Sequence, residues 1–445
     1  MYAVIVGAGT VGSSIARSLS ETHDVAVIDL DGGLIESLMY DADILGITGD
    51  GTDIETLQEA GIGQADIVIA STDDDETNLV VCGTARTVGD PLAIARVKSD
   101  KFVRTWEASA GAFGVDHMVA TNLLAAETIT RIVGLPAAGD VETFADGLVQ
   151  MAEFEIDPTS PIAGQTVEEA DRYESLTFAA VFRESDDEVV IPRGDTVLQA
   201  GDDVVVIGSP ESVRTFAHAV APGVESAENA LIIGGSDVGY HTARLLQKQG
   251  LTPRLVERDP DRAREIAEEL AGTTVLESDA TDRSFLRREH IEDVDVVVAA
   301  LDSDEKNLLA ALLAERLGAD RTVATVEAPE YVDLFEEVGI DVAINPREAA
   351  AEELTRFTRE HRAESVAILG DDRAEVLEIE IDADSILVNR PIRESVADLP
   401  AGAVIGAITR DGAFVIPRGD TVVERGDHVV LFVDTDCLDE TSDKL

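Results

Sequence analysis

Six residues, Gly7-Ala8-Gly9-Thr10-Val11-Gly12, place glycine at the spacing that lets a backbone cradle a phosphate. Gly7 permits a tight turn, Gly9 lets N–H groups approach a pyrophosphate, and Gly12 allows close helix packing, with phosphate on the helix N-terminus. Asp29 stands 22 residues after Gly7. That is the spacing of an acid that accepts hydrogen bonds from ribose hydroxyls and repels a 2′-phosphate, which favours NAD or an adenine nucleotide over NADP. On this reading Asp29 serves the ligand, and its loss is expected to weaken binding of NADH or ATP while leaving the fold intact; the alternative is an Asp that merely ends a strand.

Further candidates lie downstream: Asp50, Gly51 and Thr52 in the run 49–53, Ser71 and Thr72 after the apolar run DIVIA, and Arg96 in AIARVK. The elements that must position them are buried strands at 2–6, 25–29 and 66–70 and a helically spaced segment at 13–19. A βαβαβ order with short loops puts every turn at the carboxyl end of a parallel strand, where open α/β sheets bind ligands. Arg96 is a candidate phosphate contact, with a salt bridge to a nearby acid as its alternative role.

The arrangement recurs in the second half. Gly234-Gly235-Ser236-Asp237-Val238-Gly239 repeats the turn with Ser236 in place of Gly9, and strand RLVE ends in Glu257. Asp279 and Ala280 match Asp50 and Gly51 at an offset of 229, which also pairs Asp66 with Asp295, Asn78 with Asn307 and Arg96 with Thr325. Ser236 adds a side chain at the close-approach position and Thr325 removes the cation. The second site is therefore expected to be weaker or differently selective, with an unliganded fold as the alternative. Beyond residue 341 the offset falls to 225, because residues 110–113 have no counterpart.

VIPRGDTV occurs at 190–197 and again at 415–422, which marks an internal duplication. Residues 151–208 and 376–434 alternate short apolar runs with turn signals and read as small β-rich modules. AVIGAITR, Asp411-Gly412 and AFVIP predict a hairpin with a primed turn, and ESDDE occupies the same bend in the first module. Pro192 and Pro417 end strands, and Gly194-Asp195 and Gly419-Asp420 turn the chain, so the octamer is read as structural, with small-ligand binding at the module interface as the alternative.

Composition narrows the function. The 34 Lys plus Arg against 89 Asp plus Glu, a net charge of -55, argue against nucleic acid as a partner. Only five lysines occur; that scarcity, with acids spread along the chain, resembles halophile proteomes and points to a salt-loving source such as a haloarchaeon, the alternative being an acidic mesophile protein that keeps its fold in low salt. At molar salt the Debye length of about 3 Å screens such a surface. No apolar run reaches the roughly 18–20 residues of a bilayer crossing, and Cys82 and Cys437 support neither a disulfide framework nor a zinc site.

GAGTVG with Asp29, GGSDVG with Glu257, the GDGTD and SDATD turns, and two modules with IPRGDT followed by Gly-Asp and a strand together resemble the TrkA family of potassium-uptake regulators, built from tandem RCK domains. The resemblance covers nearly the whole chain. It implies an α/β fold of two Rossmann-like doubly wound parallel-sheet lobes, at 1–135 and 228–360, each followed by a small β-rich α+β lobe, at 136–222 and 361–445. It further implies a cytoplasmic, peripherally membrane-associated tetramer that binds NAD or NADH, with ATP or ADP as alternatives, and gates a TrkH-like potassium transporter. The departures are Ser236, Thr325 and the absence of proline opposite Asn345-Pro346, and they leave the second ligand open.

Two other functions compete. An NAD-dependent oxidoreductase needs a His, Lys or Tyr proton donor beside the nicotinamide, whereas His117 and His218 stand alone in the sequence and no Tyr-x-x-x-Lys arrangement lies near either turn. A nucleotide sensor acting on another partner is the second. No catalytic or metal-ligating set is expected.

Overall fold

A computed structural model describes all residues except 21–22, 110, 136, 184–187, 223–226, 360–364, 370–372, 384 and 445. The chain divides into two compact units, one made of residues 1–129 with 228–358 and the other of 130–227 with 359–445.

The first unit holds two parallel sheets. In the first half β1 (Tyr2–Val6), β2 (Asp24–Asp29), β3 (Leu45–Thr48), β4 (Ile67–Ala70), β5 (Leu92–Val97) and β6 (His117–Ala120) take the order β3-β2-β1-β4-β5-β6. This is a doubly wound sheet whose strand order reverses beside β1, the kind of position at which open α/β sheets bind ligands. The near-continuous Val/Ile content of β1, β2 and β4 follows from burial on both faces.

In the second unit, β7 (Ala138–Phe144), β8 (Val149–Glu155), β9 (Leu176–Arg183), β10 (Glu188–Val190) and β11 (Asp202–Gly208) form an antiparallel sheet in the order β10-β9-β11-β8-β7. The duplicate half returns to the first unit. There β12 (Ala230–Ile233), β13 (Arg254–Glu257), β14 (Thr274–Glu277), β15 (Val296–Ala299), β16 (Thr322–Thr325) and β17 (Val342–Ile344) repeat the parallel order as β14-β13-β12-β15-β16-β17. Finally β18 (Ser365–Leu369), β19 (Ala374–Glu380), β20 (Ala403–Arg410), β21 (Ala413–Val415) and β22 (His428–Asp434) complete a second antiparallel sheet in the second unit.

The two parallel-sheet lobes share a core. Ala350, Ala351 and Leu354, from the helix Pro346–Arg359, pack among Ala8, Val11, Ile15 and Val119 of the first lobe. Within the second unit, Phe182, Val205 and Ile207 pack with Val376, Val430 and Phe432. Each unit therefore buries residues from both halves of the duplication. Cys82 lies in the first core, where burial pushes its thiol up to about 12, and both cysteines are free.

The octamer behaves as turn chemistry requires. The amide of Arg193 donates to Thr196 Oγ1, that of Arg418 to Thr421 Oγ1, and Gly194 and Gly419 carbonyls accept from Glu168 and Arg393 amides. Asp411 and Gly412 both have positive φ, 50° and 72°, giving the primed turn between β20 and β21. Residues 184–187 of the matching ESDDE bend lie outside the described residues.

Helix packing sets the tolerance of the glycine turns. A Cβ on Gly12 would lie 1.8 Å from Gly7 O and one on Gly239 2.1 Å from Gly234 O, whereas one on Gly9 would meet nothing within 4 Å. Gly12→Ala should therefore destabilise the first unit by about 3 kcal/mol or more, and Gly9→Ala by under about 1 kcal/mol, in urea unfolding at molar salt. Equal midpoints would contradict this.

Candidate functional site

Both glycine turns are built the same way. Gly7 and Gly234 have φ of 105° and 111°, and each turn delivers its next amide to the acid ending the neighbouring strand. Ala8 N donates to Asp29 Oδ2 at 2.6 Å, and Gly235 N donates to Glu257 Oε2 at 2.7 Å. The other carboxylate oxygens accept from Asp31 N and Asp259 N. The longer Glu257 explains Gly235: a Cβ there would meet Glu257 Oε2 and Ile266 Cδ1 at 2.7 Å each. Asp29 therefore bonds to the turn itself, which gives its removal a cost to stability that spacing alone does not suggest.

Ser236 does not crowd the turn as expected. Its hydroxyl folds back to donate to Ala300 O at 2.7 Å and accepts from Gly239 N at 3.2 Å, so it caps the helix Asp237–Lys248. Thr10 and Val11 open the corresponding helix Thr10–Ser20 of the first lobe.

The turns after β3 and β14 are self-bonded. Thr52 N and Oγ1 both donate to Asp50 Oδ1, and Thr281 does the same to Asp279 Oδ1. These hydroxyl bonds hold both carboxylates below their usual range. Gly51 is packed tightly, since a Cβ would lie 2.3 Å from Val6 Cγ1, and Ala280 is buried.

Asn78 has a role that spacing alone did not reveal. Fully buried, it accepts from Thr72 N and donates to Thr72 O and Arg96 O, fixing the loop after β4 to the end of β5. Asn307 repeats this with Leu301 and Thr325.

Arg96 is 3% exposed. Its Nε donates to Thr121 Oγ1 at 3.1 Å, and Nη1 reaches Ser71 O, Thr72 O and Asp73 Oδ1 at 3.4–3.5 Å. Nη2 is buried with no acceptor among the described residues. Burial lowers the guanidinium pKa, opposed by Asp73. Of the two expected roles the salt bridge occurs, to Asp73, and it is long and leaves Nη2 without an acceptor among the described residues.

Arg96 lines a cavity of about 380 Å³ within the first unit. Its walls are Gly235 to Val238 of the second glycine turn, Lys98 and Asn122 of the first lobe, and Arg262, Thr325 and Arg347 of the second. The expectation that the second turn lacks a facing cation is therefore corrected: Thr325 supplies none, but Arg96 and Lys98 reach across from the other lobe. Four cations face three carboxylates there, Asp237, Asp302 and Glu327, in a chain where acids outnumber bases more than twofold.

Each of these cations already has an acidic neighbour, and Arg96 and Lys98 share one, Asp73. Lys98 Nζ lies 3.2 Å from Asp73 Oδ1, and Arg347 Nη2 lies 3.3 Å from Glu327 Oε2. Arg262 donates from Nε to Gly235 O and pairs with Glu265 at 2.7 Å and with Asp237 at 3.5 Å. With the helix N-terminus at Asp237 in the wall, the cavity is suited to a phosphate-bearing anion. Lys98 had a signal in the sequence, as one of five lysines; Arg262 and Arg347 had none, because only folding brings their loops to the turn.

Two parallel-sheet lobes with nucleotide-type turns and two antiparallel modules define the tandem RCK class. Models of the TrkA-N domain match residues 3–121 and 230–346, and those of the TrkA-C domain match 151–221 and 376–445. The chain is 38% identical over 440 residues to the Trk system potassium uptake protein TrkA homolog 1 of Methanosarcina mazei, covering 97% of each chain. It is 35% identical to the TrkA homolog of Archaeoglobus fulgidus over 99% of each, and 32% identical to TrkA of Vibrio alginolyticus over 97% of this chain and 96% of that one. The chain belongs to the TrkA family. In fold it is similar to the GsuK RCK domain, with TM-score 0.60 at 20% identity over 99% of this chain and 95% of that one. It is equally similar to a GsuK channel bound to NAD, over 100% and 78%.

Removing the acceptor for Ala8 N should cost stability as well as any ligand contact. Asp29→Ala is expected to destabilise the first unit by about 1–3 kcal/mol in ligand-free denaturation, and Asp29→Asn by less because one acceptor oxygen remains. An unchanged midpoint for Asp29→Ala would return Asp29 to a ligand-only role.

Proposed function

We propose that this protein is a nucleotide-responsive, non-enzymatic regulatory subunit of a potassium uptake system, acting on a TrkH-like membrane transporter from the cytoplasmic face as a tetramer. The observation that carries the nucleotide part is the buried Arg96 guanidinium, with Nη2 unsatisfied in a cation-rich cavity against a glycine turn. Phosphates of NAD, NADH, ADP or ATP supply the missing acceptor. The names of the full-length relatives support the potassium-uptake part.

Regulation follows if the ligand binds one arrangement of the lobes more tightly than another. The cavity is walled by both lobes, so its occupant has the differential contacts this requires. The four-lobe division at 1–135, 136–222, 228–360 and 361–445, a second ligand at the first glycine turn, and the salt requirement of so acidic a surface belong to the same reading.

The oxidoreductase alternative is disfavoured by the cavity lining. No histidine, tyrosine or cysteine faces it among the described residues.

Arg96→Ala should weaken ADP or NADH binding by about 10–100-fold in calorimetry at molar salt, the worth of a hydrogen bond to a charged group. Unchanged affinity would place the nucleotide elsewhere. For the partner, nucleotide should alter potassium flux through the co-purified membrane transporter; robust hydride transfer with no such effect would favour the enzyme.

A further inference from the structure

Helix Asp237–Lys248 of the second lobe meets helix Asp100–Ala108 of the first at His241. His241 is 2% exposed. Its Nε2 lies 3.6 Å from Asp100 Oδ1 across the lobe boundary, and its Nδ1 is buried with no partner among the described residues. Asp237, Tyr240 and Arg244 face it from its own helix, and Asp100 and Arg104 from the other; the Tyr240 ring stands edge-on at 5.2 Å.

This is a poor place for a cation. Burial first, then Arg244, holds the imidazole below its ordinary pKa, with Asp100 and Asp237 opposing. We propose that His241 makes the contact between the two parallel-sheet lobes proton-sensitive, so that acidification loosens it. The lowered value means that the closed lobes bind fewer protons than opened lobes, in which the imidazole is solvated with a pKa of about 6.5. The contact is therefore at full strength above about pH 6.5 and weakens as pH falls toward the lower, closed-state value.

The consequence for ligand rests on the proposed nucleotide site. His241 lies one helical turn beyond Asp237, which walls the cavity, so opening dismantles that wall. Affinity for ADP should fall by up to about tenfold per pH unit below about 6.5.

The test uses the full chain in molar KCl, wild type and His241→Gln. Hydrogen exchange in the two helices, corrected for intrinsic rates and measured without nucleotide, should rise between about pH 7.5 and pH 5.5 in wild type and not in the variant. An equal rise in both, or none in wild type, overturns the proposal. NMR titration of His241 in wild type covers a variant that fails to fold: a pKa at or above about 6.5 overturns it, and a lower one supports it. Asp100→Asn, which removes a carboxylate that favours the imidazolium, should move the NMR titration of His241 to lower pH, and no movement counts against the proposal. If exchange follows His241 while ADP binds at no pH, the proton response stands and the nucleotide reading falls.

Discussion

A guanidinium buried with an unsatisfied nitrogen is costly, because removing a charge from water without full pairing costs several kcal/mol. Arg96 is in that position, held by one ordinary hydrogen bond to Thr121 and by longer contacts to Ser71, Thr72 and Asp73. Much of the first unit serves to keep it there. Asn78 fixes the loop that offers it the Thr72 carbonyl, β5 fixes its backbone, and the second lobe closes over the side that faces the cavity. Among the described residues, an acceptor for Nη2 is what the arrangement lacks.

The duplication explains how such a site arises. Each half carries the same frame: an acid gripping the glycine turn, an asparagine stapling two strand ends, and a glycine where helix meets turn. On a shared frame, Arg96 and Lys98 in one lobe correspond to Thr325 and Glu327 in the other, and Asn122 corresponds to Arg347. All six face one cavity. Differences that would weaken one lobe standing alone instead give the paired lobes a graded charge, positive from the first and mixed from the second.

The fold was legible because its signals are local. Apolar strands, glycine turns and the 225- and 229-residue offsets predict both parallel sheets, and Asp411-Gly412 predicts its own turn type. The site was only half legible. Asp29 and Glu257 were found by spacing, but their grip on Ala8 N and Gly235 N is a backbone geometry that residue types do not encode. The cavity was missed for a different reason. Reading each lobe separately sets Arg96 against Thr325 as a loss, and only the packing of one lobe on the other makes Arg96 a wall of the second turn's cavity.

The central claim is that a phosphate completes the coordination of Arg96 in the cavity beside the second glycine turn. A structure of the full chain with ADP bound tests it most directly. The account predicts a phosphate oxygen within hydrogen-bond distance of Arg96 Nη2, with Lys98 or Arg347 turned toward the same group. A cavity left empty while ADP sits elsewhere, with Arg96 unmoved, would contradict it.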